Sequence, residues 1–162
     1  MVFLPTFLVQ KFALGSDTIG DMFAYIAVVW FFVGMFLNKE LVGRFSLRSL
    51  ILTGALTASV GVALMLWPHT LWPYWFVIPI AITGGALAWV NFGSVLSLNA
   101  SEEMQGRALG AGGSMWSMGQ IAAPLLGVPL AGWNLYSPLL VGSICLFLSF
   151  AYFAVSYREK VI

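Results

Sequence analysis

The sequence predicts an all-α, polytopic membrane protein: five transmembrane helices preceded by a short helical remnant. Two observations carry this. Hydrophobic residues make up 60% of the 162 positions and charged residues only 8%, whereas a soluble domain carries roughly a quarter charged residues. Further, no Asp, Glu, Lys or Arg occurs across 49–101 or across 108–157. Each interval exceeds the ~20 residues that cross a hydrocarbon core, so each folds back at least once. The expected solvent is the lipid bilayer. A net charge of +1 gives no reason to expect nucleic acid as a partner.

Residues 1–9 are apolar but too short to span, and Pro5, Gln10 and Lys11 mark the end of a helix leaving the membrane. Ser16 and Asp17 have the chemistry of an N-cap and a first-turn acid, which places the first full span at 18–37. Residues 38–48 then form a basic turn, with Lys39, Arg44 and Arg48 against Glu40. The second span, 50–66, carries Gly54, Ala58 and Gly61 on one stripe, a small-residue seam that lets a neighbouring helix approach. Two prolines, three tryptophans and Tyr74 follow within 67–75 and read as an interfacial aromatic belt. The third span, 76–98, contains Pro79 and sets Gly84, Ala88, Asn91 and Ser94 on one face. The fourth is 108–130 and the fifth 139–156, after which Arg158 and Lys160 close the chain.

The stretch 99–127 is the most informative. A polar turn with Glu102, Glu103 and Arg107 leads into an uncharged run rich in small residues. At 3.6 residues per turn, Gly106, Gly110, Gly113, Ser117, Gln120 and Pro124 share one face, and Met115, Met118, Ala122, Leu125 and Leu126 the other. An apolar face opposed to a small, weakly polar one suits a membrane helix that meets a close neighbour or a narrow polar pathway. Gly84, Gly110, Gly113, Pro124 and Gly127 are accordingly expected to serve helix packing.

Alternation of the spans puts the 38–48 turn, Arg107 and the Arg158/Lys160 tail on one side. That side holds all of the seven basic residues except Lys11. The positive-inside rule makes it cytoplasmic, together with the C-terminus. Cys145 is the only cysteine and His69 the only histidine. No phosphate loop, paired intramembrane acids or metal-ligand cluster is visible, so neither an enzyme activity, a cofactor nor a metal is expected.

Several stretches resemble the C-terminal half of a major facilitator superfamily transporter, closest to the drug:proton antiporters of the tetracycline-efflux type. Leu4-Pro5-Thr6-Phe7-Leu8 with Phe12-Ala13-Leu14-Gly15-Ser16 and Ile19-Gly20 resembles the exit of helix 7 and the entry to helix 8. Gly43-Arg44-Phe45-Ser46-Leu47-Arg48 resembles the basic turn between helices 8 and 9. Glu103-Met104-Gln105-Gly106-Arg107-Ala108-Leu109-Gly110 resembles the turn into helix 11, and Gly119-Gln120-Ile121-Ala122-Ala123-Pro124-Leu125-Leu126-Gly127 that helix's Gly-Pro signature. The resemblance implies an integral protein of a bacterial inner membrane. It also implies a chain that begins within helix 7 and needs a missing N-terminal half or a partner chain. Its substrate would be a small organic molecule, exported against protons.

The same resemblance puts Asn91, Ser94, Trp116, Ser117 and Gln120 along a central cavity. Asn91 and Gln120 serve equally well as interhelical hydrogen-bonding groups, and Trp116 as packing. Asp17 and Asp21, one turn apart, form either a proton or cation site or a pair of acids at a helix N-terminus. Lys39, Arg44, Arg48, Glu102, Glu103 and Arg107 read as a cytoplasmic gate, or as topology signals touching lipid headgroups. A small membrane protein that assembles partners without transporting, or a non-functional transporter remnant, is the alternative.

Overall fold

The computed structural model describes residues 3–157, so the expectation for Arg158 and Lys160 lies outside the described residues. Among the described residues the chain is helical without strands. Helix α1 spans Leu4–Phe12 and stops at Ala13, whose φ of 50° is left-handed. Helix α2, Ser16–Phe32, runs through a π-helical turn, Val33–Leu37, into α3, Asn38–Val42, as one continuous rod. Then come α4 (Leu47–Leu64), α5 (Tyr74–Asn99), a 3₁₀ turn at Glu102–Met104, α6 (Gln105–Trp133) and α7 (Ser137–Ser156).

Two expected boundaries are corrected. The basic turn begins only at Gly43, because charge at Lys39 and Glu40 signals exit from lipid without breaking a helix. Gly15, in extended conformation, occupies the N-cap of α2, and Ser16 is the first helical residue. Ser46 caps α4, its Oγ accepting from the Ser49 backbone N–H at 3.2 Å.

Among the described residues four helical stretches are long and apolar enough to cross a membrane: Ser16–Val42, Leu47–Leu64, Tyr74–Asn99 and Ser137–Ser156. At 29 residues α6 is long enough as well, but its glycine, serine and glutamine content dilutes its apolarity. It nonetheless runs the length of the bundle. Gly112 sits against Leu96 near the end of α5, whereas Gly127 sits against Phe3 and Pro138 at the opposite pole.

The centre of the structure is α4, antiparallel to both α5 and α7. Against α5 the backbones nearly touch. A Cβ on Gly54 would come within 2.7 Å of Ala88 N and Gly84 O, and one on Gly61 within 2.5 Å of Ala81 N; one on Gly84 would strike Ala58 N. Only small residues allow such an approach, and in lipid this close van der Waals contact is a main source of helix association. Against α7 the contact is polar and reciprocal. Ser59 Oγ donates to Ser143 O at 2.9 Å, and Ser143 Oγ donates to Ser59 O at 3.0 Å. Both serines are buried, so each hydroxyl is satisfied by the facing backbone rather than left in hydrocarbon. Peripheral helices differ: only 11% of the most apolar window in Ser16–Val42 is buried, against 39% in α4 and α5, so Phe23, Val28, Phe31 and Phe32 face outward.

Candidate functional site

Helix α6 carries three faces rather than two. Gly112, Trp116 and Gly127 fall on one stripe, since 4 and 11 residues are close to whole numbers of turns. That stripe meets the bundle. A Cβ on Gly112 would reach Leu96 Cδ1 at 2.9 Å and one on Gly127 would reach Phe3 at 3.4 Å, and the Trp116 ring lies against Trp89 at 4.6 Å between centroids. About a quarter-turn away lie Gly110, Gly113, Ser117, Gln120 and Pro124, all exposed. A Cβ on Gly110 or Gly113 would meet nothing within 4 Å. Of the residues expected to serve packing, Gly110, Gly113 and Pro124 are thus open, whereas Gly127 lies against Phe3, and Gly112, not singled out from the sequence, lies against Leu96. The third face, with Met115, Met118 and Leu125, is apolar and exposed.

On the open face Ser117 Oγ donates to Gly113 O at 3.0 Å, one turn back. Ser114 does the same to Gly110 O at 2.9 Å. Gln120 has no hydrogen-bond partner among the described residues, and its amide is exposed. Here the helix presents small residues, carbonyls that share serine protons and one free amide, flanked by the exposed side chains of Ile121 and Val128.

The expected pathway residues do not all meet. Asn91 is fully buried and meets the start of α3. Its Nδ2 donates to Asn38 Oδ1 at 2.7 Å and to Leu87 O at 2.8 Å. Asn38 follows directly on the π-helical turn, in which its own N–H bonds Val33 O five residues back. That wider turn sets the direction in which Asn38 leaves the rod. Ser94 is half-buried and donates to Val90 O at 3.3 Å within its own helix. Trp116 is on the packing stripe. Ser117 and Gln120 alone share the open face.

The charged candidates also separate. Asp17 and Asp21 are exposed at the start of α2, Asp17 accepting from Ser16 Oγ at 3.4 Å, a favourable place for acids near a helix N-terminus. Lys39 on α3, Arg44 in the turn after it, Glu102 and Glu103 in the 3₁₀ turn and Arg107 in the first turn of α6 are all exposed. Arg48 differs: it is half-buried, and its Nη2 donates to Ala154 O at 2.7 Å. Ala154 O is among the last four carbonyls of α7, which lack partners inside the helix, so the guanidinium both satisfies it and meets the negative end of the helix dipole.

Sequence reasoning missed the site around Lys11. Its Nζ donates to Pro68 O at 2.6 Å and to Tyr74 Oη at 3.1 Å. It also lies 4.7 to 5.4 Å from the ring centroids of Phe7, Phe12, Tyr74 and Tyr136. Tyr74 is fully buried and its hydroxyl donates a hydrogen bond to Met65 O at 2.6 Å. The cation thus joins α1, the 65–74 connection and the start of α7 in an aromatic cage. The proximity of Phe7 and Phe12 to Lys11 in the chain was the available signal; the two tyrosines come from distant segments.

Among the described residues no group of three His, Cys, Asp or Glu is placed to hold a metal ion. The family model described as Major Facilitator Superfamily matches residues 1–161. The chain belongs to the major facilitator superfamily. Members of this family are transporters, so a transport function in general and an integral, multi-pass membrane location follow for this facilitator chain. Neither the curated proteins nor the solved structures yield a match to it.

Proposed function

We propose that the chain forms the C-terminal half of a secondary transporter of the tetracycline-efflux type, moving a small amphipathic organic molecule out of the cell in exchange for protons. In this reading α6 crosses the bacterial inner membrane as a fifth span, and the C-terminus is cytoplasmic. The observation that carries it is the uncovered face of α6. A stripe of Gly113, Ser117 and Gln120 that no other described helix covers is costly against lipid tails but favourable along a water-filled path. A second half-bundle, from the same or another polypeptide, would close that path. Rocking of the halves would then open it to each side in turn. Gln120 supplies the amide that orients a substrate, and Asp17 and Asp21 offer carboxylates for proton entry at the outer end.

Everted membrane vesicles containing the natural protein test this. Addition of a tetracycline-like compound is expected to dissipate an imposed pH gradient. Gln120→Leu should slow that flux by about tenfold, the loss of one oriented hydrogen bond, at unchanged membrane abundance. Absence of substrate-dependent proton movement would contradict the proposal.

A further inference from the structure

A cleft of about 400 Å³ lies between α4, α5, α6 and α7, walled by Trp89 and Trp116 on one side and Phe150 and Phe153 on the other, with Ile51 and Ala55 at its base. It is separate from the open face of α6. Its lining includes one hydroxyl, Ser149, and that is already satisfied within its own helix, donating to Cys145 O at 2.9 Å. Small-molecule sites of this size fix orientation with a few convergent polar groups. Apart from the indole N–H groups of Trp89 and Trp116 this one has none to offer, so its occupant is mainly apolar along the buried length.

The chemistry changes at one end. Arg48 is one helical turn before Ile51 on α4, and its guanidinium reaches Ala154, the neighbour of Phe153 on α7. Its Nε–H is buried and has no acceptor among the described residues. A buried donor without an acceptor is costly, and an anion reaching the guanidinium would satisfy it. It stands at the end of the bundle that carries the basic turns, where a bilayer places its phosphates.

We infer that this cleft binds one anionic phospholipid, its acyl chain lying between Trp89/Trp116 and Phe150/Phe153 and its phosphate accepting from Arg48. The site stands independently of the transport proposal: it needs only the bilayer and the packing of α4 with α7.

The test uses the full chain in mixed micelles, titrated with phosphatidylglycerol or phosphatidylcholine carrying brominated acyl chains, with tryptophan emission as readout. The Trp89→Phe/Trp116→Phe pair isolates the share of the signal that comes from the cleft. Brominated phosphatidylglycerol is expected to half-quench that share at about fivefold lower mole fraction than brominated phosphatidylcholine, the preference expected from one basic group at a membrane surface. Arg48→Gln should erase the preference and Arg48→Lys should keep most of it, which separates loss of charge from loss of fold. Ala55→Phe should reduce quenching by both lipids. Equal quenching by the two lipids in the unaltered protein, or undiminished quenching in Ala55→Phe, would overturn the assignment.

Discussion

The α4–α5 seam and helix α6 are both rich in glycine, yet they use it in opposite ways. A Cβ on Gly54 or Gly61 would come within 2.7 or 2.5 Å of the facing backbone, whereas one on Gly106, Gly110, Gly113 or Gly119 would meet nothing within 4 Å. In the seam, the missing side chain lets two backbones meet. On α6 it leaves a smooth, open surface. The difference lies in the company each glycine keeps. Gly54 and Gly61 alternate with Ala58 opposite Ala81, Gly84 and Ala88, a set with no free polar group. Gly110 and Gly113 share their stripe with Ser117, bonded within its own helix, and with Gln120, whose amide calls for water or a polar partner. Small residues in a membrane helix therefore mark a close contact only where the rest of the stripe is also dry.

Substitutions should separate the two regions sharply. Gly84→Leu sets a side chain against Ala58 N and Gly54 O, backbone atoms that cannot give way without parting the helices. The expected cost is about 3 kcal/mol or more, seen as loss of the monodisperse peak in detergent. Gly113→Leu should leave that peak intact. Equal damage from both would erase the distinction.

Lys11→Met comes next. It withdraws the cation from four rings and leaves Pro68 O without its donor, at an expected cost of about 1–2 kcal/mol, read as a lower melting temperature in detergent. An unchanged melting temperature would mean that the cage holds nothing together. Smallest is the serine pair. Ser59→Ala and Ser143→Ala each remove one buried interhelical bond, and about 0.6 kcal/mol apiece is expected, as for other membrane interhelical hydrogen bonds. A thermal-unfolding double-mutant cycle would measure their coupling.

Much of the fold was legible from charge and punctuation. The charge-free intervals forced the hairpins, and the Trp- and Pro-rich connection at 67–75 separated α4 from α5. The 38–48 boundary was less so, because Lys39 and Glu40 leave the lipid while remaining good helix formers, and only Gly43 ends the helix. The site was legible in part. Helical periodicity grouped Ser117 with Gln120 and the open glycines. It did not reveal that Gly112 is the glycine that packs, since a one-residue offset is a quarter-turn and its meaning depends on where the neighbouring helix stands. Asn91 read equally as pathway or interhelical contact, and its partner Asn38, placed by a π-helical turn, decides its orientation. Contacts such as Arg48 to Ala154, 106 residues apart, or the four-ring cage of Lys11, join segments that no local pattern connects.

The central claim is that one face of α6 is wet and the others are not. Single cysteines at Ser117, Gln120 and Met118, in a chain with Cys145 replaced by Ala, give the most direct test when treated with a membrane-impermeant thiol reagent in sealed vesicles. Met118 is 68% exposed in the isolated bundle, so bare accessibility does not distinguish it from its neighbours; only the solvent does. Positions 117 and 120 are expected to react, and position 118, facing lipid or an apolar partner, to stay unmodified. Reaction at 118 equal to that at 120, or no reaction at 117 and 120 from either side of the membrane, would contradict the account.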